Sequence, residues 1–198
     1  MLHSNLKFVL GSQSPRRQEL LKHIVNDFRT YVLDVDESFP VDMPVSQVAE
    51  YLANKKSTAI WNHLDEEVIL LTADSIVVCG DTILNKPEDE LHATKMLEMI
   101  SGRRHEVHTA FCLKTKDKTY SERVIAEVEF GPLSSESISH YIRTFRPYDK
   151  AGAYGIQEWI GFIGVKEIKG SFANIMGLPV YNIYNALMAE FGFLEHKI

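Results

Sequence analysis

Apolar positions recur along this chain at two spacings, and together they predict an ordered series of strands and helices. Leu6 to Leu10 reads as a short strand, and Gly11-Ser12-Gln13 turns the chain out of it. Ser14 is then placed to cap a helix and Pro15 to occupy its first position, where a missing N–H costs nothing. That helix runs through Leu20, Leu21 and Ile24. Phe28 to Leu33 predicts a second strand, ending in the acidic turn Asp34-Val35-Asp36-Glu37-Ser38. From Pro44 onward, Val45, Val48, Ala49, Leu52, Ala59 and Ile60 fall at helical spacing and predict a long amphipathic helix that carries Lys56.

Val68 to Ala73 and Ile76 to Cys79 are apolar, strand-like runs on either side of Asp74-Ser75, with Gly80-Asp81 as a hairpin-like turn. Asp74 therefore interrupts an apolar strand. After Pro87, the acids Glu88, Asp89 and Glu90 suit a helix N-terminus, and the helix continues through Leu91, Leu97 and Ile100 to a stop at Gly102. Val107, Thr109, Phe111 and Leu113 alternate, as do Val124, Ala126, Val128 and Phe130, so a long hairpin is predicted around Lys116-Asp117-Lys118. Ser134 or Ser135 caps a helix through Phe145, Trp159 to Val165 reads as a strand, and Pro179 opens a final helix through Phe191. Helices and strands mix without strict βαβ alternation. The expected fold is α/β with an elongated mixed sheet and flanking helices, in one domain spanning 1–198.

Composition narrows the class without naming a chemistry. The chain has 198 residues, 45% hydrophobic and 24% charged, enough apolar material for a substantial core. Met1-Leu2-His3-Ser4-Asn5 lacks the basic stretch and apolar run of an export signal, and no segment reaches the roughly 18 apolar residues of a membrane span. Cys79 and Cys112 both lie in apolar runs and read as buried, reduced thiols, so a cytoplasmic protein without a membrane partner is expected. A net charge of −6 argues against a stable nucleic-acid partner, because such proteins neutralise many phosphates with a basic surface.

The chemistry-bearing residues are scattered rather than gathered in one common motif. There is no GxxxxGK[ST] phosphate loop, GxGxxG or GxSxG turn. His105-Glu106-Val107-His108 is not HExxH, and strand residues three apart point to opposite faces, so these imidazoles are read as ordinary strand histidines. Ser14-Pro15-Arg16-Arg17 combines a helix start with two guanidiniums and suits a polyphosphate; a capped helix with surface arginines is the plainer reading. Asp74, set between apolar runs, must gain something from its place, such as a metal, a partner cation or a catalytic task; a strand-end turn residue is the plainer reading. With Glu37 it would hold Mg²⁺ or Mn²⁺, hard ions that share oxygen ligands with substrate phosphates. Asp149 to Gln157 is a segment of small residues, and Gln157 offers both a donor and an acceptor to a base edge. Gly170 to Gly177 reads as a second, structural loop.

Together these segments closely resemble the Maf family of nucleotide pyrophosphatases, nearly end to end. The likeness rests on Gly11 to Arg17, Leu52-Ala53 leading to Lys56, Ala73-Asp74-Ser75, Lys86-Pro87, Leu97 with Ser101-Gly102, His105 to Thr109, Asp149 to Gln157, and Gly177-Leu178-Pro179. It implies two lobes around a central cleft, a fold related to that of inosine-triphosphate pyrophosphatases, and a homodimer. It also implies a metal-dependent hydrolase that converts a nucleoside triphosphate to its monophosphate and pyrophosphate. The run Asp-Lys-Ala-Gly-Ala-Tyr-Gly-Ile-Gln matches the branch acting on dTTP and UTP rather than the one acting on 7-methyl-GTP, with modified pyrimidine triphosphates as further candidates.

Carried over by position, Asp74 matches the family's proton acceptor, and Arg16, Ser75 and Gln157 match positions linked to substrate choice. Ser75 departs from the threonine common in this branch: it keeps the hydroxyl and loses the methyl, which implies a looser pyrimidine preference. Ser14, Arg16, Arg17, Lys56 and Lys86 are read as the phosphate-binding set, and Glu37 with Asp74 as the metal ligands. Two other readings stay open: a nucleotide-binding regulator of septum formation whose hydrolysis is incidental, and an interaction module that binds no nucleotide.

Overall fold

The computed structural model describes residues 7–64 and 67–192. Leu6 of the first expected strand and the Met1 to Asn5 segment lie outside the described residues. Among the described residues, seven strands form one sheet in the order β2-β1-β3-β5-β6-β7, with β4 paired to β3. They are β1 (Lys7–Leu10), β2 (Arg29–Thr30), β3 (Val68–Cys79), β4 (Thr82–Leu84), β5 (Arg104–Lys114), β6 (Thr119–Phe130) and β7 (Val165–Lys169). β1 pairs in parallel with β2 and β3, whereas β3–β4 and β6–β7 are antiparallel, so the sheet is mixed as expected. The helices are α1 (Pro15–Leu21), α2 (Val45–Trp61), α3 (Glu90–Ile100), α4 (Ser135–Phe145), α5 (Trp159–Gly164), α6 (Phe172–Met176) and α7 (Val180–Phe191), with a 3-10 turn over Ala151–Ala153. Among the described residues, no helix is long and apolar enough to cross a membrane.

The chain divides into two units. The first comprises Met1–Asp74, Thr109–Val124 and Gly177–Ile198; the second comprises Ser75–His108 and Ile125–Met176. In the first, Val9, Val68, Leu70 and Ile60 pack with Tyr31, Leu33, Trp61 and Leu64, joining the parallel strands to α2. Gly11 is required there, because a Cβ would lie 2.7 Å from Thr72 Cγ2 and 2.8 Å from Ile60 Cδ1. In the second, α3 and α4 bury Leu97, Ile100, Ile138 and Tyr141 against Val107, Val128, Phe130 and Tyr154. Both cysteines are buried and free.

Capping explains why several helix boundaries agree with the sequence reading. Ser14, Asp89 and Ser134 each accept a backbone N–H from the first turn of α1, α3 and α4. Several segments differ from expectation, among them 170–177, read as a loop, which holds α6 over Phe172–Met176. Trp159 to Gly164 is helical and only Val165 onward is strand, because Gly161 lets α5 settle on the Ile156 carbonyl, which a Cβ would approach to 2.0 Å. Phe28 to Leu33 contributes only Arg29–Thr30, paired with Val9 and Leu10 at the end of β1. Finally, β3 runs unbroken through Asp74, so the polar pair does not divide it in two.

Candidate functional site

In the first unit, four expected residues converge on the middle of β3. The Thr72 hydroxyl donates to the Ala53 carbonyl at 2.8 Å, docking α2 against β3 two residues before Asp74. Lys56 lies three positions after Ala53, on the same helix face. Its ammonium donates to Asp74 Oδ1 and, at 2.8 Å, to Glu37 Oε1. Asp74 is only 7% exposed, so this cation offsets much of the cost of keeping its carboxylate from water.

Glu37 reaches Lys56 because its neighbours are fixed. Lys55 donates to Asp36 Oδ2 at 3.0 Å and to the Ser38 carbonyl at 2.9 Å, and the Ser38 backbone N–H donates to Asp36 Oδ1 at 3.0 Å. The Ser38 hydroxyl and then Lys55 hold the Asp36 carboxyl down at about 2. Consecutive lysines of α2 thus pin consecutive acids of the 34–38 turn. Lys55 and Asp36 carry no role in the sequence reading; that they stand as far apart in sequence as Lys56 and Glu37 is the signal that could have found them.

Arg17 closes the group from below. Its Nε donates to the Gly177 carbonyl and its Nη1 to the Ala73 carbonyl, both at 2.8 Å. Burial pushes its pKa down; Asp74 and Glu37 oppose that shift and Arg16 adds to it. Two guanidinium donors are therefore spent on backbone beside the catalytic candidate. Ser14 spends its side-chain oxygen on the Arg17 N–H at 3.5 Å, and Arg16 is half-buried one residue earlier. With seven residues, α1 is a short source of dipole, so the charge of this corner comes from side chains.

The other three expected residues belong to the second unit. Ser75 follows Asp74 on β3 and is half-buried; Lys86 is exposed on the loop between β4 and α3. The backbone just before it is tied to the 149–157 segment, since the Gly152 N–H donates to the Asn85 carbonyl at 3.2 Å. Gln157 is half-buried, yet its Oε1 is sealed from solvent and has no hydrogen-bond partner among the described residues. An acceptor left so costs about 1–3 kcal/mol unless a ligand supplies a donor.

Beneath that segment, His105 and Tyr154 form a buried pair, Nε2 to hydroxyl 2.8 Å, stacked with Phe130. His105 does not meet His108, whose Nε2 lies 2.6 Å from Glu106 Oε2, which agrees with the reading of two separate strand histidines. Burial depresses His105 to about 4, so the unfolded chain binds the extra proton between that value and about 6.5. Its contribution to stability is complete above pH 6.5 and is lost as pH falls toward 4. Urea titrations are expected to show the wild type about 2 kcal/mol less stable at pH 5 than at pH 7 from this group, a difference absent in His105→Gln. An unchanged slope in the variant would remove His105 as the cause.

Among the described residues, no group of three or more His, Cys, Asp and Glu could hold a metal ion. Glu37 and Asp74 both accept from the Lys56 ammonium, and paired carboxylates are the type of ligand that Mg²⁺ or Mn²⁺ takes alongside water and phosphate oxygens.

Comparison with known proteins gives this chain a family. A family model described as Maf-like protein matches residues 7–190. The dTTP/UTP pyrophosphatase of Bacteroides thetaiotaomicron is 44% identical over 182 residues, 91% of this chain and 94% of that protein. The dTTP/UTP pyrophosphatase of Flavobacterium psychrophilum is 42% identical over 93% of this chain and 94% of that protein. That of Porphyromonas gingivalis is 43% identical over 94% of each. Among solved structures, the Staphylococcus aureus Ham1 protein matches with a TM-score of 0.48 and 16% identity, over 63% of this chain and 71% of that one.

Proposed function

The chain belongs to the Maf family, and on that footing we propose that it hydrolyses dTTP and UTP to the monophosphate and pyrophosphate. The observation that carries the chemistry is the pair of carboxylates, Glu37 and Asp74, held on the Lys56 ammonium, with the half-buried Arg17 guanidinium bonded to the Ala73 carbonyl next to Asp74. Such a cluster supplies fixed charge to a polyphosphate together with a carboxylate for proton transfer. Water attacks the α-phosphorus, the bond from that phosphorus to the bridging oxygen breaks, and pyrophosphate leaves with the electron pair. Asp74 accepts the proton that the water gives up.

Arg16 and Lys56 are assigned to holding phosphate oxygens, with the Ser14 hydroxyl at the same corner. Glu37 and Asp74 would hold a divalent cation, which supplies further positive charge to the phosphates when bound. Lys86 is also assigned to phosphate, and Ser75 and Gln157 to the base, on the strength of the family resemblance. The base assignment has a physical rationale: thymine and uracil carry an N3–H that suits the unpartnered Gln157 Oε1, whereas cytosine presents no hydrogen there. A cytoplasmic homodimer completes this reading.

The test is product analysis with dTTP, UTP, CTP, dATP, GTP and 7-methyl-GTP, with Mg²⁺, with Mn²⁺ and after chelation. dTTP and UTP are expected to lead, to yield pyrophosphate rather than orthophosphate, and to fall to background without metal. Equal rates on all six substrates would remove the base assignment, and orthophosphate as product would remove the reaction.

A further inference from the structure

The segment that carries Gln157 is buried almost throughout, from Lys150 to Ile156, yet little of it is regular secondary structure. Its backbone polar groups must therefore find partners elsewhere. The Glu158 N–H donates to the Gly155 carbonyl at 3.0 Å, closing a turn with Ile156 and Gln157 at its two central positions. The direction of the Gln157 amide thus depends on what fixes the two corners of this turn, Gly155 and Glu158.

One side chain reaches both corners. The Gly155 N–H donates to the Tyr141 hydroxyl at 2.9 Å, and that hydroxyl donates in turn to Glu158 Oε2. Tyr141 is rooted in α4 and fully buried, stacked on Phe145. The other oxygen of Glu158 meets the Lys150 ammonium at 3.3 Å, and Lys150, 8% exposed, also holds Asp149 at 2.7 Å. Glu158 is therefore balanced by a cation at the start of the same segment. Its carboxyl also folds over Gly155, where an added Cβ would lie 2.7 Å from Glu158 Cδ. Glycine at 155 is what leaves room for the brace.

We infer that Tyr141 and Glu158 are positioning residues for substrate choice: their hydrogen-bonded link spans the turn and aims Gln157, with Lys150 neutralising the carboxylate. This rests on the reading of Gln157 as the residue that meets the pyrimidine. Neither side chain needs to touch the nucleotide. Loss of the Tyr141 hydroxyl leaves the Gly155 N–H buried without its acceptor and frees one side of Glu158, so the turn relaxes and the amide loses its alignment.

The experiment measures kcat and KM for dTTP and CTP with the full chain and Mg²⁺, in the wild type, Tyr141→Phe, Glu158→Gln, Gln157→Ala and the double variant Tyr141→Phe/Gln157→Ala. Tyr141→Phe is expected to lower the dTTP-to-CTP ratio of kcat/KM about tenfold, through a raised KM for dTTP. Glu158→Gln, which keeps an oxygen for the Tyr141 hydroxyl, loses about threefold and serves if the tyrosine variant does not fold. In the Gln157→Ala background, Tyr141→Phe is expected to change the ratio less than about twofold, because the effect travels through Gln157. A wild-type ratio in Tyr141→Phe and Glu158→Gln, together with a lowered one in Gln157→Ala, overturns the positioning role alone. A wild-type ratio in Gln157→Ala overturns the base reading and the inference with it.

Discussion

Asp74→Asn is expected to lower kcat for dTTP by about 10²–10⁴-fold, the scale of a lost general base, while leaving the fold intact. Asparagine occupies the same volume, and its side-chain oxygen can still accept from the Lys56 ammonium that now contacts Asp74 Oδ1. Thr72, two residues earlier, continues to dock β3 on α2. What the variant loses is the charge, and with it a carboxylate able to take a proton or share a cation with Glu37. Separate kcat and KM values identify the loss: a fall in kcat with similar KM marks an interaction made in the transition state. A folded Asp74→Asn protein with full turnover would end the assignment.

Arg17→Lys is expected to cost about 1–3 kcal/mol of stability without any ligand, and to lower kcat as well. The guanidinium spans two backbone carbonyls, Gly177 at the start of the connection into α7 and Ala73 immediately before Asp74, each at 2.8 Å. A lysine keeps the charge but offers a point rather than a planar fork, so both carbonyls cannot be served in that geometry. An unserved buried acceptor costs about 1–3 kcal/mol, which sets the expected loss. For a chain of this size that is a fall in Tm of about 6 °C. The kcat effect follows because the carbonyl released is the one beside Asp74. If Arg17 served the phosphates alone, the ligand-free Tm would be unchanged and only KM would rise, so one thermal melt separates the two roles.

These residues also show how far the sequence was legible. Ser14-Pro15, Asp89 and Ser134 marked helix starts because capping is a local event between a side chain and a backbone N–H three residues on. The length of α2 was legible because its apolar face repeats from Val45 to Ile60. Trp159 to Gly164 was not, since a short apolar run satisfies strand and helix alike, and the choice was made by the approach of Gly161 to the Ile156 carbonyl. Asp74 was found as an oddity in an apolar run, yet its continuity within β3 depends on Lys56 and Arg17, neither of which adjoins it in sequence. Spacing likewise gave no reason to join Tyr141 to Gly155 and Glu158, because that link crosses from a helix to a turn 14 and 17 residues later.

The most direct test of the reaction is hydrolysis of dTTP in ¹⁸O-labelled water, with the label located by mass spectrometry of both products. Attack on the α-phosphorus places one ¹⁸O in the thymidine monophosphate and none in pyrophosphate. Label in pyrophosphate, or its appearance in released orthophosphate, would place the attack on another phosphorus and contradict the role given to Asp74 and its neighbours.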